Sequence, residues 1–590
     1  MSSKAIRNEP DPEKIHFGQM CCSQGKVELE AYPDIPIVFM DLYTNESMEA
    51  KQFRKDARYI NAQASFGSLQ LDDKSVNSGG ASAFKVCGQL YRRMGSLLPS
   101  IERTPVCLQT YFYDITEQVR LAMSRRRNNA TSESTQHGVQ QERERSIFTK
   151  VFNTLRMVNT YYLSFLTAHE ICQQYCNETG TAVEDMRLQL HETQNPSGHA
   201  GTYSLPTTDE VAILLPTENP PGSHRSIIVN LRDAQNPTNR LQMVRDYHKS
   251  WDPLMYPLFF PHGTNGWHKE MEKKNSGRVE KLSLSAYFRC HVMKRQTVEE
   301  GPIAFNVLHF GQRLFQQYVV DKFAAVESMR LRFLNSHQTA LRLDSYQRLY
   351  DSVRRGNVED SGRVTVLPAT FTCGERWYDM QYKNAMALVR KFGKPTFFIT
   401  FTLDTQCKEI QDELETGQSP YDRPDLLARV FNAKMKALMH EIKKDQIFGP
   451  CDAHSLAIEF QKRGAPHGHL LVWIPSFVAS PENIDRVISA ELPDKDQYPL
   501  LHQLVLDKMV HGPCGVLNPK SVCMQKGECK RNFPKAFSDF TKLENSAFPE
   551  YKRRAPEYGG VVALKYRNNQ AIEVDNSWVV PYNPYLLLRY

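Results

Sequence analysis

Between Leu456 and Ile474 the chain can fold in few ways. Leu456 to Phe460 and Leu470 to Ile474 are apolar and β-prone, and Arg463-Gly464-Ala465-Pro466 breaks the run between them. The pattern predicts strand, tight turn, strand. Successive strand side chains point to opposite faces, so His467 and His469 project the same way, with small Gly468 between them. Glu459 and Gln461 share a face of the preceding strand, and Glu459 lies eight residues before His467, a spacing a two-stranded hairpin allows. Two imidazoles and one carboxylate or amide can therefore converge on one cation, with Glu459 as third ligand and Gln461 as its alternative. Three protein ligands would leave positions for water or phosphate. The plainer reading is a strand carrying two satisfied histidines.

A chain of 590 residues is too long for one core, so several domains are expected. No stretch approaches the ~18 to 20 uninterrupted apolar residues of a membrane span. Met1 to Lys14 is polar and charged, unlike a secretory signal, so an intracellular location is expected. In that setting the 13 cysteines read as reduced thiols, some of them candidates for metal, rather than disulfides. The formal charge of +7 is modest, but its placement is uneven. From Gly515 to Arg567 there are 11 Lys or Arg against 5 Asp or Glu, a local excess of +6. A basic segment directly after a candidate metal hairpin suits a phosphate backbone, with Lys552, Arg553 and Arg554 as contacts beside Lys462 and Arg463 of the turn. The alternative is a solvated face.

Taken in order, residues 1–16 read as a disordered lead-in and 17–120 as a small β-rich domain of short strands and turns. Residues 121–146, with Arg125-Arg126-Arg127 and a Ser/Thr/Asn/Gln run, read as a linker. Residues 147–385 form a helical and mixed middle region, with apolar residues at helical spacing from Phe148 and again from Phe310 to Leu334. Residues 386–590 alternate strands and helices, with strands predicted at Thr396–Thr402, Ser455–Gln461 and His467–Ile474. Mostly antiparallel strands with helices on one side make an α+β class. A second cluster, His511, Cys514, Cys523 and Cys529, has the donor number of a structural zinc site, but its spacings of three, nine and six are irregular. A Pro/Gly-rich loop with free thiols is the alternative. No Gly-x-x-x-x-Gly-Lys-Ser/Thr occurs, so ATP is not an expected cofactor.

Ile458 to Gly464 followed by Pro466-His467-Gly468-His469 resembles the signature strand pair of the replication-initiator-like nuclease of Helitron transposons, within the histidine–hydrophobe–histidine superfamily. Lys394 to Thr402 resembles its first strand, and Asp575-Asn576, Trp578 and Val579 to Pro584 a segment beyond the histidines. Arg423-Pro424-Asp425-Leu426 and the Trp251 to Pro261 block also fit, so the resemblance runs from about Phe17 to Tyr590. Leu403 to Ile410 departs from the relatives, which carry Asn-Pro and a tryptophan there. So does the N-terminal region, where Cys21-Cys22 matches a cysteine pair but its partner Cys-x-x-Cys is missing.

The resemblance implies a C-terminal ferredoxin-like nuclease domain with a metal site on its open sheet face, holding manganese or magnesium and acting on single-stranded DNA, which suggests the nucleus. Thr400 and Thr402 become candidate DNA contacts, with sheet-forming threonines as the alternative. The nucleophile in such enzymes is a tyrosine, paired as Tyr-x-x-x-Tyr on a helix after the Pro-Tyr-Asn-Pro block. Here Tyr582, Tyr585 and Tyr590 are three and five apart, so the expectation is a truncated nuclease lacking efficient nicking, without the helicase ATPase.

Overall fold

The computed structural model describes residues 35–66, 113–127, 137–163, 248–273, 279–293, 306–337, 367–461, 464–512, 514–515, 518–543, 549–567 and 570–590. It adds Lys26, Val27, Leu29 and six short strands. These strands pair as antiparallel hairpins: β1 (Ser68–Gln70) with β2 (Tyr91–Arg93), β3 (Arg187–Leu190) with β4 (Val211–Leu214), and β5 (Ser226–Asn230) with β6 (Leu241–Arg245). Antiparallel sheets and helices together make the protein α+β. No described helix is long and apolar enough to cross a membrane.

The chain divides into two compact units. The first comprises 1–383, 402–433 and 458–467, and the second 384–401, 434–457 and 468–590. The core of the first is helical. Ser47 caps the helix Met48–Ala64 by accepting from the Ala50 amide, and Phe53, Ala57, Ile60 and Ala64 bury one face at helical spacing. They pack with Phe39, Phe148, Phe152, Trp251, Tyr256 and Tyr318 in one cluster.

Two sequence expectations change here. Over 17–120 the described residues are strand only at β1 and β2, and Ile37–Thr44, Met48–Ala64 and the start of Ile115–Arg127 are helices. The 121–146 linker is helical over 121–127 and from His137, where Ile115–Arg127 ends and His137–Val158 begins. Glu142-Arg143-Glu144-Arg145 lies near the start of that second helix, and such residues are good helix formers. The Cys21-Cys22 pair and Lys462-Arg463 lie outside the described residues.

The Trp251 block packs as a rigid core segment. The Tyr256 hydroxyl donates to Asp321 at 2.7 Å, and buried Asp252 pairs with buried Lys322. Gly266 runs so close to Asp252 that a Cβ would come within 2.6 Å of the carboxylate.

His309 is expected to make this unit sensitive to acid. It is 1% exposed, its Nε2 bonds the Val292 carbonyl at 3.0 Å, and Asp425, held by Arg423, lies 3.7 Å away. Burial, and then the Arg423 charge, push its pKa down to about 4. Unfolded, the imidazole titrates near 6.5. The contribution of a neutral, buried His309 is thus present above about pH 6.5 and lost as pH falls toward 4. The expected loss is on the order of 3 kcal/mol, and urea denaturation should show it shrinking in His309→Gln.

In the second half of the chain β7 (Phe397–Thr402), β8 (Ala453–Phe460) and β9 (Pro466–Trp473) form a three-stranded sheet in the order β7-β9-β8. In the second unit Leu492, Val505, Val510, Val574, Val579 and Tyr582 form a separate core, covered by the helix Pro499–Lys508 and by the hairpin of β12 (Ala563–Arg567) with β13 (Gln570–Val574).

Candidate functional site

The β8–β9 hairpin closes as its sequence requires. The Gln461 amide donates to Ala465 O at 2.9 Å and the Gly464 amide to Gln461 O at 2.8 Å, with Gly464 at φ 91°. A three-residue loop with glycine in the left-handed region fixes the register. A regular ladder counted back from the Gln461–Ala465 pair would set Glu459 across from His467 on the same face. On β7 the burial alternates, with Phe397 inward and Phe398, Thr400 and Thr402 exposed.

The exposed side of the sheet carries two threonine–histidine pairs. In the first unit Thr402 Oγ1 lies 2.6 Å from His467 Nδ1. In the second, Thr400 Oγ1 lies 3.5 Å from His469 Nδ1, and Phe398 stacks on the His469 ring at 5.5 Å. Each of these threonines and histidines, chosen from sequence, thus pairs within its own unit. Phe398 was not singled out, although its two-residue spacing from Thr400 puts it on the same face. Glu459 is exposed, and its carboxylate does not complete a donor group with the two imidazoles in this structure.

The tyrosines are engaged elsewhere. Tyr582 donates to Glu491 O at 3.0 Å, and Tyr585 to Glu441 Oε2 at 3.2 Å. The Tyr590 ring meets Phe401 edge-on at 5.8 Å, on the face of β7 opposite Thr400. Burial raises the pKa of all three phenols, with the Glu441 carboxylate adding to it at Tyr585 and Tyr590.

The basic segment is only partly a surface. Arg553 is 5% exposed, and its Nη1 donates to the carbonyls of Ala490, Asn576 and Val579 at 3.3, 2.7 and 2.6 Å. Arg554 forms a forked pair with Glu491, its Nη2 2.6 Å from Oε2. Both hold the fold of the second unit, and Lys552 is half-buried beside them. The exposed cations of this stretch include Lys520, Lys526, Lys530 and Arg531.

The cysteines of the second cluster lie in or next to the same stretch of chain. His511 Nδ1 or Nε2 and the sulfurs of Cys514, Cys523 and Cys529 all lie within 4.8 Å of one another, a group able to hold a metal ion such as zinc. All three cysteines are free of disulfides. Burial, and then the thiols of Cys529 and Cys523, push the Cys514 pKa up to about 12. Burial also opposes ionisation of Cys529, but the amides of Phe533 and Arg531 outweigh it and hold that thiol below its usual range. Burial, with Arg531 and Lys535, lowers His511, which favours the neutral imidazole a metal needs.

Residues 290–472 match the family model described as the Helitron helicase-like domain at N-terminus. A search of curated proteins finds no match. The matched segment covers 183 of the 590 residues and runs through β7, β8 and nearly all of β9, so the threonine–histidine face lies inside it and the Cys/His cluster beyond it. The segment 290–472 is thus similar to the Helitron helicase-like domain found at the N-terminus of such transposon proteins.

Proposed function

We propose that the exposed face of the β7-β9-β8 sheet binds a divalent cation, manganese or magnesium, and through it the phosphate backbone of single-stranded DNA, as in a histidine–hydrophobe–histidine nuclease of ferredoxin-like fold. The observation that carries this reading is the pairing of Thr402 with His467 and Thr400 with His469 through Nδ1. An imidazole that gives its Nδ1 proton to a hydroxyl oxygen directs a lone pair from Nε2, and such outer contacts orient metal-binding histidines. Glu459, across from His467, is the third ligand. Gln461 is the weaker alternative, because it stands at the turn beside Ala465. When bound, the cation would polarise a phosphate oxygen.

Phe398 supplies an exposed ring against which a base can stack, which favours single strands over duplex. With the hydroxyls of Tyr582 and Tyr585 engaged and Tyr590 packed on Phe401, the reading for this chain is metal-dependent binding, in the nucleus, rather than nicking by those tyrosines. Fluorescence anisotropy with a single-stranded oligonucleotide tests it. Affinity should fall when manganese is replaced by chelator, and log K should fall with log salt by about 0.7 per phosphate contact. Equal affinity with and without manganese would remove the metal from the reading.

A further inference from the structure

We propose that His511, Cys514, Cys523 and Cys529 bind one zinc ion as a closed structural site that holds the basic hairpin of the second unit in shape. The geometry is close to what the ion requires. Zinc–sulfur and zinc–nitrogen bonds of about 2.3 and 2.0 Å span tetrahedral edges of roughly 3.5 to 3.8 Å. His511 Nε2 stands 3.4 Å from Cys529 Sγ, and no pair of the four donors is more than 4.8 Å apart, so closing on an ion needs side-chain shifts of about an ångström or less. Three sulfurs and one imidazole are a zinc set. Four protein ligands leave no open position, so the site is structural and not catalytic.

The backbone around the donors is built for this. Cys523 and Cys529 flank a hairpin of β10 (Met524–Gln525) and β11 (Glu528–Cys529), in which Met524 pairs with Cys529. Its turn residues Lys526 and Gly527 have φ of 53° and 86°, the double left-handed turn that fits a two-residue hairpin. The Arg531 amide donates to Cys529 Sγ at 3.4 Å, a contact that suits a thiolate. His511 is held by its backbone amide, which donates to Trp578 O at 2.8 Å, and by stacking on Phe533 at 4.3 Å. Gly512 cannot carry a side chain, because a Cβ would meet the Cys514 amide at 2.9 Å and the Trp578 ring at 3.2 Å.

The hairpin's own ladder is short. Two residue pairs make too short a ladder to stand alone, and Val522, next to a ligand, is 98% exposed. An ion joining His511 and Cys514 to the hairpin would add a strong link, and would keep Lys526, Lys530 and Arg531 at an ordered edge.

The test uses the full chain, purified under reducing conditions. Metal analysis should find one zinc per chain, and cobalt exchanged into the site should give the absorption of a tetrahedral sulfur-rich centre. Cys514, Cys523 and Cys529 should resist alkylation until a chelator is added, while exposed Cys373 reacts at once. Cys514→Ala with Cys523→Ala should lose the zinc. His467→Ala with His469→Ala should keep it, so failure of the sheet site and failure of this one are told apart. A wild-type chain that takes up neither zinc nor cobalt overturns the proposal. So do cluster thiols that alkylate as fast as Cys373 in the presence of zinc, or zinc retained by the double cysteine variant.

Discussion

Arg553→Met is expected to destabilise the second unit by about 3 to 5 kcal/mol, among the largest losses available to a single substitution in this chain. The guanidinium is buried and donates to three backbone carbonyls, those of Ala490, Asn576 and Val579. Those carbonyls belong to segments far apart in sequence, so one side chain ties the loop after the helix Pro481–Val487 to the turn at Asn576. Burial pulls its pKa down to about 10, which is still high enough to keep it charged at neutral pH. A methionine fills the volume but leaves the carbonyls without a donor, and each unsatisfied buried group costs about 1 to 3 kcal/mol. Urea denaturation should show a lower midpoint. Lys530→Met, at an exposed position of the same basic segment, should stay within about 0.5 kcal/mol of wild type.

Changing both His467 and His469 to alanine is expected to abolish manganese binding and the manganese-dependent part of DNA affinity, while leaving the fold intact. Both side chains lie on the exposed face of β9, and the core face of that strand is made by Gly468, Leu470 and Val472. Removing the imidazoles therefore deletes ligands without opening a cavity. Thr402→Val is the subtler variant. It keeps the shape of a strand-favouring residue and removes the oxygen 2.6 Å from His467 Nδ1. Loss of such an orienting contact typically weakens metal affinity 10- to 100-fold, and calorimetry on the variant should find a loss in that range.

The hairpin could be read from the sequence because a period-two pattern and a turn glycine fix register with no help from the rest of the chain. The helices Ile37–Thr44 and Met48–Ala64 were harder to see. Pro33 and Pro36 punctuate the approach, and the signal that separates helix from strand is the spacing of Phe53, Ala57, Ile60 and Ala64 within a charged background. Arg553 shows a different limit. In Lys552-Arg553-Arg554 the three charges look alike, yet one is buried among carbonyls, one is paired with Glu491, and only long-range folding decides which. The Cys/His cluster could be counted but not assembled. Its irregular spacing comes from a hairpin turn at Lys526-Gly527 that folds Cys529 back toward Cys523, and the dipeptide itself was the available hint.

The measurement that tests the sheet face most directly is a manganese titration of the full chain, followed by calorimetry or by the resonance of free manganese. One manganese site is expected in the wild type and none in His467→Ala with His469→Ala, with Glu459→Ala weaker than Gln461→Ala. The same manganese affinity and stoichiometry in the double histidine variant as in the wild type would contradict it.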